Sequence, residues 1–407
     1  LTVPQESKDF PSWENTLDAL TRIEEAGLVL DDVLDTLRYP DLRRTTASWL
    51  FTYFRHKRAL QEYLRNFAAK PPAPALQRLL LLAAARMRFQ NAVSPQSCAN
   101  AAVACAKQQF GRGAANFVNA FLRRIARENP DFPVLLPQAV EERWKKRFSE
   151  EEISQFRRCF AEEAPFTYRL CGNSADGAAY GTAIALPPKA ANLWRFYQTS
   201  DAGKLFEAGL LEKGLIYAQD PAATVAPSLG NDFPVRTILD LCAAPGGKTM
   251  LLHDRFSNAE ITACDRSERR LKQAQENFNR HRLSVKTIVA KAEEHAIPGS
   301  FDLVLADVPC SNTGVFRRRP DALFRFSEAA LAEVAALQKE ILRSAAQSVA
   351  PGGLLLYSTC SIEKEEDSQQ VTAFLLEHPA FLKEQEVLLF PSAEHDGAYA
   401  CALRRIS

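Results

Sequence analysis

The chain has 407 residues, of which 46% are hydrophobic and 24% charged, with a formal net charge of +1. This is the profile of a soluble globular protein of two or three domains, and it excludes a collagen-like array or a largely disordered chain. No uncharged apolar run reaches the ~18 residues that a membrane span needs.

In chain order, the start LTVPQESKDF has no basic stretch followed by an apolar one. We therefore expect no signal peptide and a cytoplasmic protein, and the start at Leu leads us to expect a few missing N-terminal residues. Residues 1–37 hold two basic against nine acidic residues, a balance of −7. Residues 38–127 hold sixteen Lys or Arg against Asp41 and Glu62, a balance of +14. So basic a stretch is an electrostatic footprint for a polyanion, unless the acidic segment before it neutralises it. Helical periodicity runs through 13–28, 42–54, 60–67, 75–88, 94–110 and 114–127, with Pro71, Pro72 and Pro74 as a break. An all-α bundle over 1–130 follows. Asn129-Pro130, Pro133 and Pro137 mark a boundary. Two charged helices over 137–160 and a small α+β adaptor to 230 complete a middle segment, 131–230.

From 231 to 407 the texture changes. Buried-strand runs at 237–242, 261–265, 285–290, 301–308 and 354–360 alternate with helical stretches at 248–256, 267–281, 328–349 and 363–377. That alternation predicts an α/β, doubly wound, Rossmann-like sheet. Strands near 387–390 and 399–405 would close it as an antiparallel edge pair.

After the first strand comes DLCAAPGGKT, residues 240–249. Small residues let the backbone pass close to a ligand, and the helix that follows favours an anionic group at its N-terminus. The stretch is neither a P-loop nor GxGxxG. Asp265 ends the second strand, where a carboxylate accepts hydrogen bonds from ribose hydroxyls. Strand, small-residue turn, helix, strand, acid is the adenosine-binding pattern of this fold. The bland alternative is a tight turn with a capping Asp. The nine cysteines are scattered without zinc spacing, so no metal is expected, and most read as small buried hydrophobes. Two stand apart. Asp307-Val-Pro-Cys310 ends the fourth strand and Ser358-Thr-Cys360 the fifth, both at the C-terminal edge where ligands bind.

LDLCAAPGGKT, CDRSERRL, ADVPCSNTGVFRRRPD and YSTCSI together resemble the signature motifs of RNA (cytosine-5)-methyltransferases. LQRLLLLAAARMRF and NAAVACAKQQFGRGAANFVNAFLRRI are similar to the NusB-like RNA-binding domain of the bacterial 16S rRNA branch, which the HDG at 395–397 also fits. The resemblance implies S-adenosyl-L-methionine as cofactor, held by Cys242, Ala243, Ala244, Pro245, Gly246, Gly247 and Lys248, with Asp265, Arg270, Glu293 and Asp307. It implies a catalytic set of Cys360, Cys310, Asp307 and Lys248. Cys360 would add to C6 of a flipped cytosine, Asp307 would hold its N3 edge, and Cys310 would assist loss of the C5 proton. The implied partner is 16S rRNA or a small-subunit assembly intermediate, with no membrane, and the implied state is a monomer. A tRNA cytosine methyltransferase and a non-catalytic RNA-binding assembly factor stay open as alternatives. The sequence departs from the family at Glu293, where an Asp is usual, at Pro221 after Gln219-Asp220, and at Ala398-Tyr399.

Four further readings concern residues outside these motifs. Arg317, Arg318 and Arg319 suggest phosphate contacts beside the base. His253, His281 and His295 read as surface or satisfied polar residues. Trp49, Trp144 and Trp194 read as core. The acids of 363–367 read as a first helical turn that complements the helix dipole.

Overall fold

The computed structural model describes residues 10–406 apart from 92, 173–175, 188, 231–232 and 295–296, so His295 lies outside the described residues. The chain forms two units. One comprises the chain up to Glu162 together with Phe316–Arg325, and the other comprises Glu163–Val315 with Phe326–Ser407.

The first unit is helical: α1 (Phe10–Glu24), α2 (Leu30–Leu34), α3 (Arg43–Phe67), α4 (Pro74–Phe89), α5 (Pro95–Glu128), α6 (Gln138–Lys145) and α7 (Glu150–Ala161). Pro74 starts α4, where a missing N–H costs nothing. Every residue of α4 from Arg78 to Met87 is buried, as befits a helix at the centre of a bundle. Two of those buried residues are cations. Arg78 pairs with Glu25 at 2.8 Å and lies 3.9 Å from Glu24, and the Arg86 guanidinium lies 3.3 Å over the Trp49 ring. Lys57 also pairs with Glu24, at 2.7 Å. The acidic first helix therefore neutralises part of the basic excess inside the bundle. Lys107, Arg112, Arg123 and Arg127 on α5 stay exposed. The two helices expected over 42–54 and 60–67 are one, α3. The expected gap near 111 is a kink in α5, where Gly111 takes φ 85°.

Phe316–Arg325 packs within this helical unit. Phe316 stacks on Trp144, and the Arg317 carbonyl accepts from Arg55 at 2.9 Å. Arg317 is 6% exposed and lies 3.8 Å from Glu162, while Arg319 pairs with Asp31 at 2.6 Å. This corrects the phosphate-contact reading of Arg317 and Arg319, because acids of the same unit already hold these guanidinium groups. Trp49 and Trp144 are core, as expected, and so is Trp194 in the second unit.

The second unit holds two sheets. The smaller is antiparallel, with order β2-β3-β1-β4, built from β1 (Phe166–Leu170), β2 (Thr182–Ile184), β3 (Phe196–Thr199) and β4 (Ile216–Ala218). The larger contains β5 (Thr237–Asp240), β6 (Glu260–Asp265), β7 (Val285–Val289), β8 (Phe301–Asp307), β9 (Val349–Thr359), β10 (Phe381–Leu389) and β11 (Ala398–Arg405), in the order β10-β11-β9-β8-β5-β6-β7. The five strands from β5 to β9 are parallel, and β11 and β10 close the edge antiparallel. β5 and β8 are neighbours although two strands separate them in sequence, which makes the crevice beyond their C-terminal ends the switch point where doubly wound sheets bind ligands.

Candidate functional site

The site is built on the C-terminal ends of β5, β6, β8 and β9. β5 delivers Asp240, which is 1% exposed and accepts from the Thr249 hydroxyl at 2.7 Å. Burial pushes its carboxyl up to about 7 despite that bond. The loop then turns on two backbone bonds, Ala243 N–H to the Cys264 carbonyl (2.8 Å) and Gly246 N–H to the Ala243 carbonyl (2.7 Å). Gly246 sits at φ 101°, and a Cβ there would meet the Phe278 ring at 2.6 Å, so glycine is required for both reasons. The helix Gly247–Arg255 follows and presents Lys248 from its first turn.

Asp265 ends β6 and is 3% exposed. Its oxygens accept from the Ala244 N–H (3.2 Å) and the Ser267 N–H (2.9 Å), the latter closing the turn into the helix Glu268–Arg280. Arg270 donates to the Ala244 carbonyl at 2.7 Å. Both residues thus clamp the loop. Glu293 is half-buried in a 3-10 turn after β7. Neither Asp265 nor Glu293 is among the residues lining the two cavities described next.

One cavity, of about 200 Å³, is lined by Tyr217, Gln219, Asp240, Ala244, Lys248 and Asp307 among others. The Gln219 side-chain oxygen is buried there without a hydrogen-bond partner, and a Cβ on Gly247 would strike the Gln219 amide at 2.7 Å. A buried unpaired acceptor beside backbone that must stay bare fits a ligand that brings N–H donors close to the loop, as the ammonium of an amino-acid moiety does. The second cavity, of about 160 Å³, is lined by Asp220, Lys248, Cys360, Asp396 and Tyr399 among others. Lys248 lines both.

Asp307 ends β8 opposite Ser358 of β9. It accepts from Lys248 Nζ at 2.7 Å and from the Ser358 hydroxyl at 2.6 Å. Burial alone would lower the Lys248 pKa, but the Asp307 carboxylate holds it above the ordinary value. Because β8 and β9 are paired neighbours, the cysteines just beyond them meet: Cys310 Sγ and Cys360 Sγ are 3.0 Å apart. Cys360 Sγ also donates to Asn312 Oδ1 at 3.3 Å. The Cys310 thiol is pushed well above its usual pKa, first by the hydrogen bond with Cys360 and then by burial. Two sulfurs, a lysine ammonium and a carboxylate therefore share one crevice with two adjoining cavities.

A family model for the 16S rRNA methyltransferase RsmB/F matches residues 230–400, and one for the NusB family matches 12–127. Residues 230–400 form an RsmB/F methyltransferase domain, behind a NusB domain. The chain is an RNA methyltransferase and uses S-adenosylmethionine. It is 28% identical over 397 residues to the probable ribosomal RNA small subunit methyltransferase B of Bacillus subtilis strain 168, covering 90% of this chain and 88% of that protein. It is 41% identical over 172 residues to ribosomal RNA small subunit methyltransferase B of Vibrio vulnificus strain YJ016, a match that spans 42% of this chain and 40% of that relative. The crystal structure of PH0851 superposes with a TM-score of 0.76 at 22% identity over the full length of both chains, a likeness of fold.

Among the described residues, no group of His, Cys, Asp and Glu is arranged to hold a metal, and no helix is long and apolar enough to cross a membrane. One reading from the sequence needs correction. The acids of 363–367 are not the first turn of a helix. The helix begins at Ser368, and Glu363, Glu366 and Asp367 are buried. Asp367 accepts from the Thr359 hydroxyl, eight residues away, but Glu366 accepts from Gln338 and from Ser311, 55 residues away in the chain, which no local pattern reveals.

Proposed function

We propose that this enzyme methylates C5 of a cytosine in small-subunit rRNA through a covalent adduct between Cys360 and C6. The observation that carries the reading is the 3.0 Å approach of Cys310 and Cys360 beside a cavity that Lys248 shares with the loop-bound cavity. Cytosine C5 is a poor nucleophile until a thiolate adds at C6 and makes it enamine-like. Asp307, anchored by Lys248 and Ser358, is the group to hold the N3 edge, and the Lys248 ammonium that it keeps in place supplies the positive charge that offsets the negative charge developing on addition. S-adenosylmethionine, when bound, supplies an electrophilic methyl group. Cys242, Ala243, Ala244, Pro245, Gly246, Gly247 and Lys248 would hold it, with Asp265 and Arg270 fixing the loop and Glu293 near the adenine end. After transfer, loss of the C5 proton on the Cys310 side lets the C6–S bond break and returns Cys360.

The target base leaves its stack to enter the site. The NusB domain, with the exposed cations of α5, would grip RNA through its backbone. We keep 1–130, 131–230 and 231–407 as the functional division into RNA-binding, adaptor and catalytic parts. We also propose a monomer. Bisulfite sequencing of total RNA from cells with and without the gene tests the reading. Loss of one 5-methylcytosine from small-subunit rRNA supports it, and an unchanged rRNA pattern or a loss confined to tRNA overturns the assigned substrate.

A further inference from the structure

The residue after each active-site cysteine is tied to one buried carboxylate. Glu366 has no exposed surface. Its Oε1 accepts from the Ser311 N–H (2.7 Å) and from Gln338 Nε2 (3.0 Å), and its Oε2 from the hydroxyls of Ser311 and Ser361. Gln338 reaches back to the Pro309 carbonyl at 2.9 Å, and the Tyr357 hydroxyl donates to the Glu366 carbonyl at 2.6 Å. The loop just after Cys360, the loop that carries Cys310 and the helix Glu328–Gln347 thus converge on one side chain.

We propose that Glu366 is a positioning residue for methyl transfer, holding the loops of Cys310 and Cys360 at their working separation. The inference rests on the covalent reading given above. Four donors meet the carboxylate, filling the lone-pair sites that an ionised carboxylate offers. Burial raises its pKa above the usual carboxylate value, while the hydrogen bonds from Ser311, Ser361 and Gln338 favour the charged form against that cost. A buried charge is an expensive way to fill space, and an apolar side chain would do so more cheaply. What the carboxylate adds is a joint grip on Ser311 and Ser361 that no hydrocarbon provides. Its charge is also one of those that oppose ionisation of Cys310, after the effects of Cys360 and of burial. Glu366 touches no reacting atom, so its effect is exerted through the two loops.

The test uses the full-length protein with Glu366→Gln, which preserves shape, and Glu366→Ala. Glu366→Gln turns one acceptor into a donor facing donors and removes the charge. We expect kcat for methyl transfer to fall about 10- to 100-fold, the scale of an ångström-level misplacement. KM for RNA and the Kd for S-adenosylmethionine should stay within about twofold, since the 242–248 loop makes no contact with this network. A second measurement needs no RNA. Alkylation by iodoacetamide, followed site by site with mass spectrometry, should speed at Cys310 by about threefold or more once the neighbouring charge is gone. Wild-type kcat together with wild-type alkylation at both cysteines overturns the inference, as does a fall in activity matched by an equal loss of cofactor binding. The parent reading is checked separately. If Cys310→Ala with native Glu366 traps no RNA adduct, the covalent mechanism itself is overturned. If the adduct forms and the Glu366 variants behave as wild type, only the positioning role is lost.

Discussion

Gly314→Ala probes the assembly of the site without touching a chemical group. Gly314 lies where three loops cross. Its N–H donates to the Cys360 carbonyl at 3.0 Å, and its carbonyl accepts from the Gly397 N–H at 2.8 Å. A Cβ built there would stand 2.8 Å from the Cys360 carbonyl oxygen and 2.9 Å from the Gly397 carbonyl carbon and oxygen, all backbone atoms. Carbon–oxygen contacts settle at about 3.3 Å or beyond, so the loops must part by about 0.5 Å. A full ångström of misplacement costs about 10²-fold, so half of that predicts about a tenfold fall in kcat, near 1.4 kcal/mol of barrier. The 242–248 loop has no part in this crossing, and calorimetric titration with S-adenosylmethionine should give an unchanged Kd. Transfer of tritiated methyl to small-subunit rRNA measures the other half. Wild-type kcat in a folded Gly314→Ala protein would refute the claim that this crossing sets the position of Cys360.

Other perturbations separate chemistry from stability. Cys360→Ala should abolish product, whereas Cys310→Ala should accumulate an RNA-linked protein that migrates slowly on a denaturing gel; wild-type turnover by Cys360→Ala would remove it as the nucleophile. Asp240 keeps its proton in the fold up to about pH 7, while an unfolded Asp ionises near pH 4. The unfolded chain therefore binds fewer protons across that window, and this group's contribution to stability is lost as pH rises from about 4 to about 7, by up to about 1.4 kcal/mol per pH unit. Asp240→Asn should flatten that slope in melting temperatures taken across the window, and an identical slope in the variant would contradict the burial argument. Trp144 is fully buried among Phe148, Phe156, Phe160 and Phe316. Trp144→Ala should cost about 3–5 kcal/mol in urea unfolding of the helical unit, and a cost below about 1 kcal/mol would contradict that packing.

The parts of this molecule legible in the sequence are those whose signal is local. Continuous apolar runs marked β5, β6, β8 and β9 because parallel strands buried on both faces carry little else. The order of their ends then brought Asp307, Cys310 and Cys360 to one edge. β3 and β4 escaped because strands of four and three residues are too short to show alternation. β10 was read from 387 although it starts at Phe381, since Lys383, Glu384, Gln385 and Glu386 look like loop. Charged residues of this kind are what an edge strand uses to avoid pairing with other chains. Arg317 and the acids of 363–367 failed for the opposite reason. Polarity marks a side chain as solvated on average, and only a distant partner turns it into a buried pair. Those partners, Glu162 for Arg317 and Ser311 and Gln338 for Glu366, come from remote parts of the chain.

The same long-range environment distinguishes two thiols that the sequence leaves chemically equal. Cys310 is held as a thiol by its bond to Cys360, by burial and by nearby negative charge. A sulfur that keeps its proton can donate to a neighbour, and Cys360 Sγ lies 3.0 Å away. Lys248, kept charged by Asp307, faces the same cavity and adds a fixed cation. Against this, the resting Cys360 donates to Asn312 Oδ1, an acceptor that would repel a thiolate. Activation therefore needs Asn312 to turn away or to present its amide instead, while that amide now donates to the Cys310 carbonyl at 2.9 Å. On the proposed mechanism Asn312 is then a brake on the nucleophile. Asn312→Gly, which also suits the φ of 63° at this position, should raise the rate of Cys360 alkylation at neutral pH. An unchanged rate at Cys360 would show that the thiolate forms without disturbing that bond.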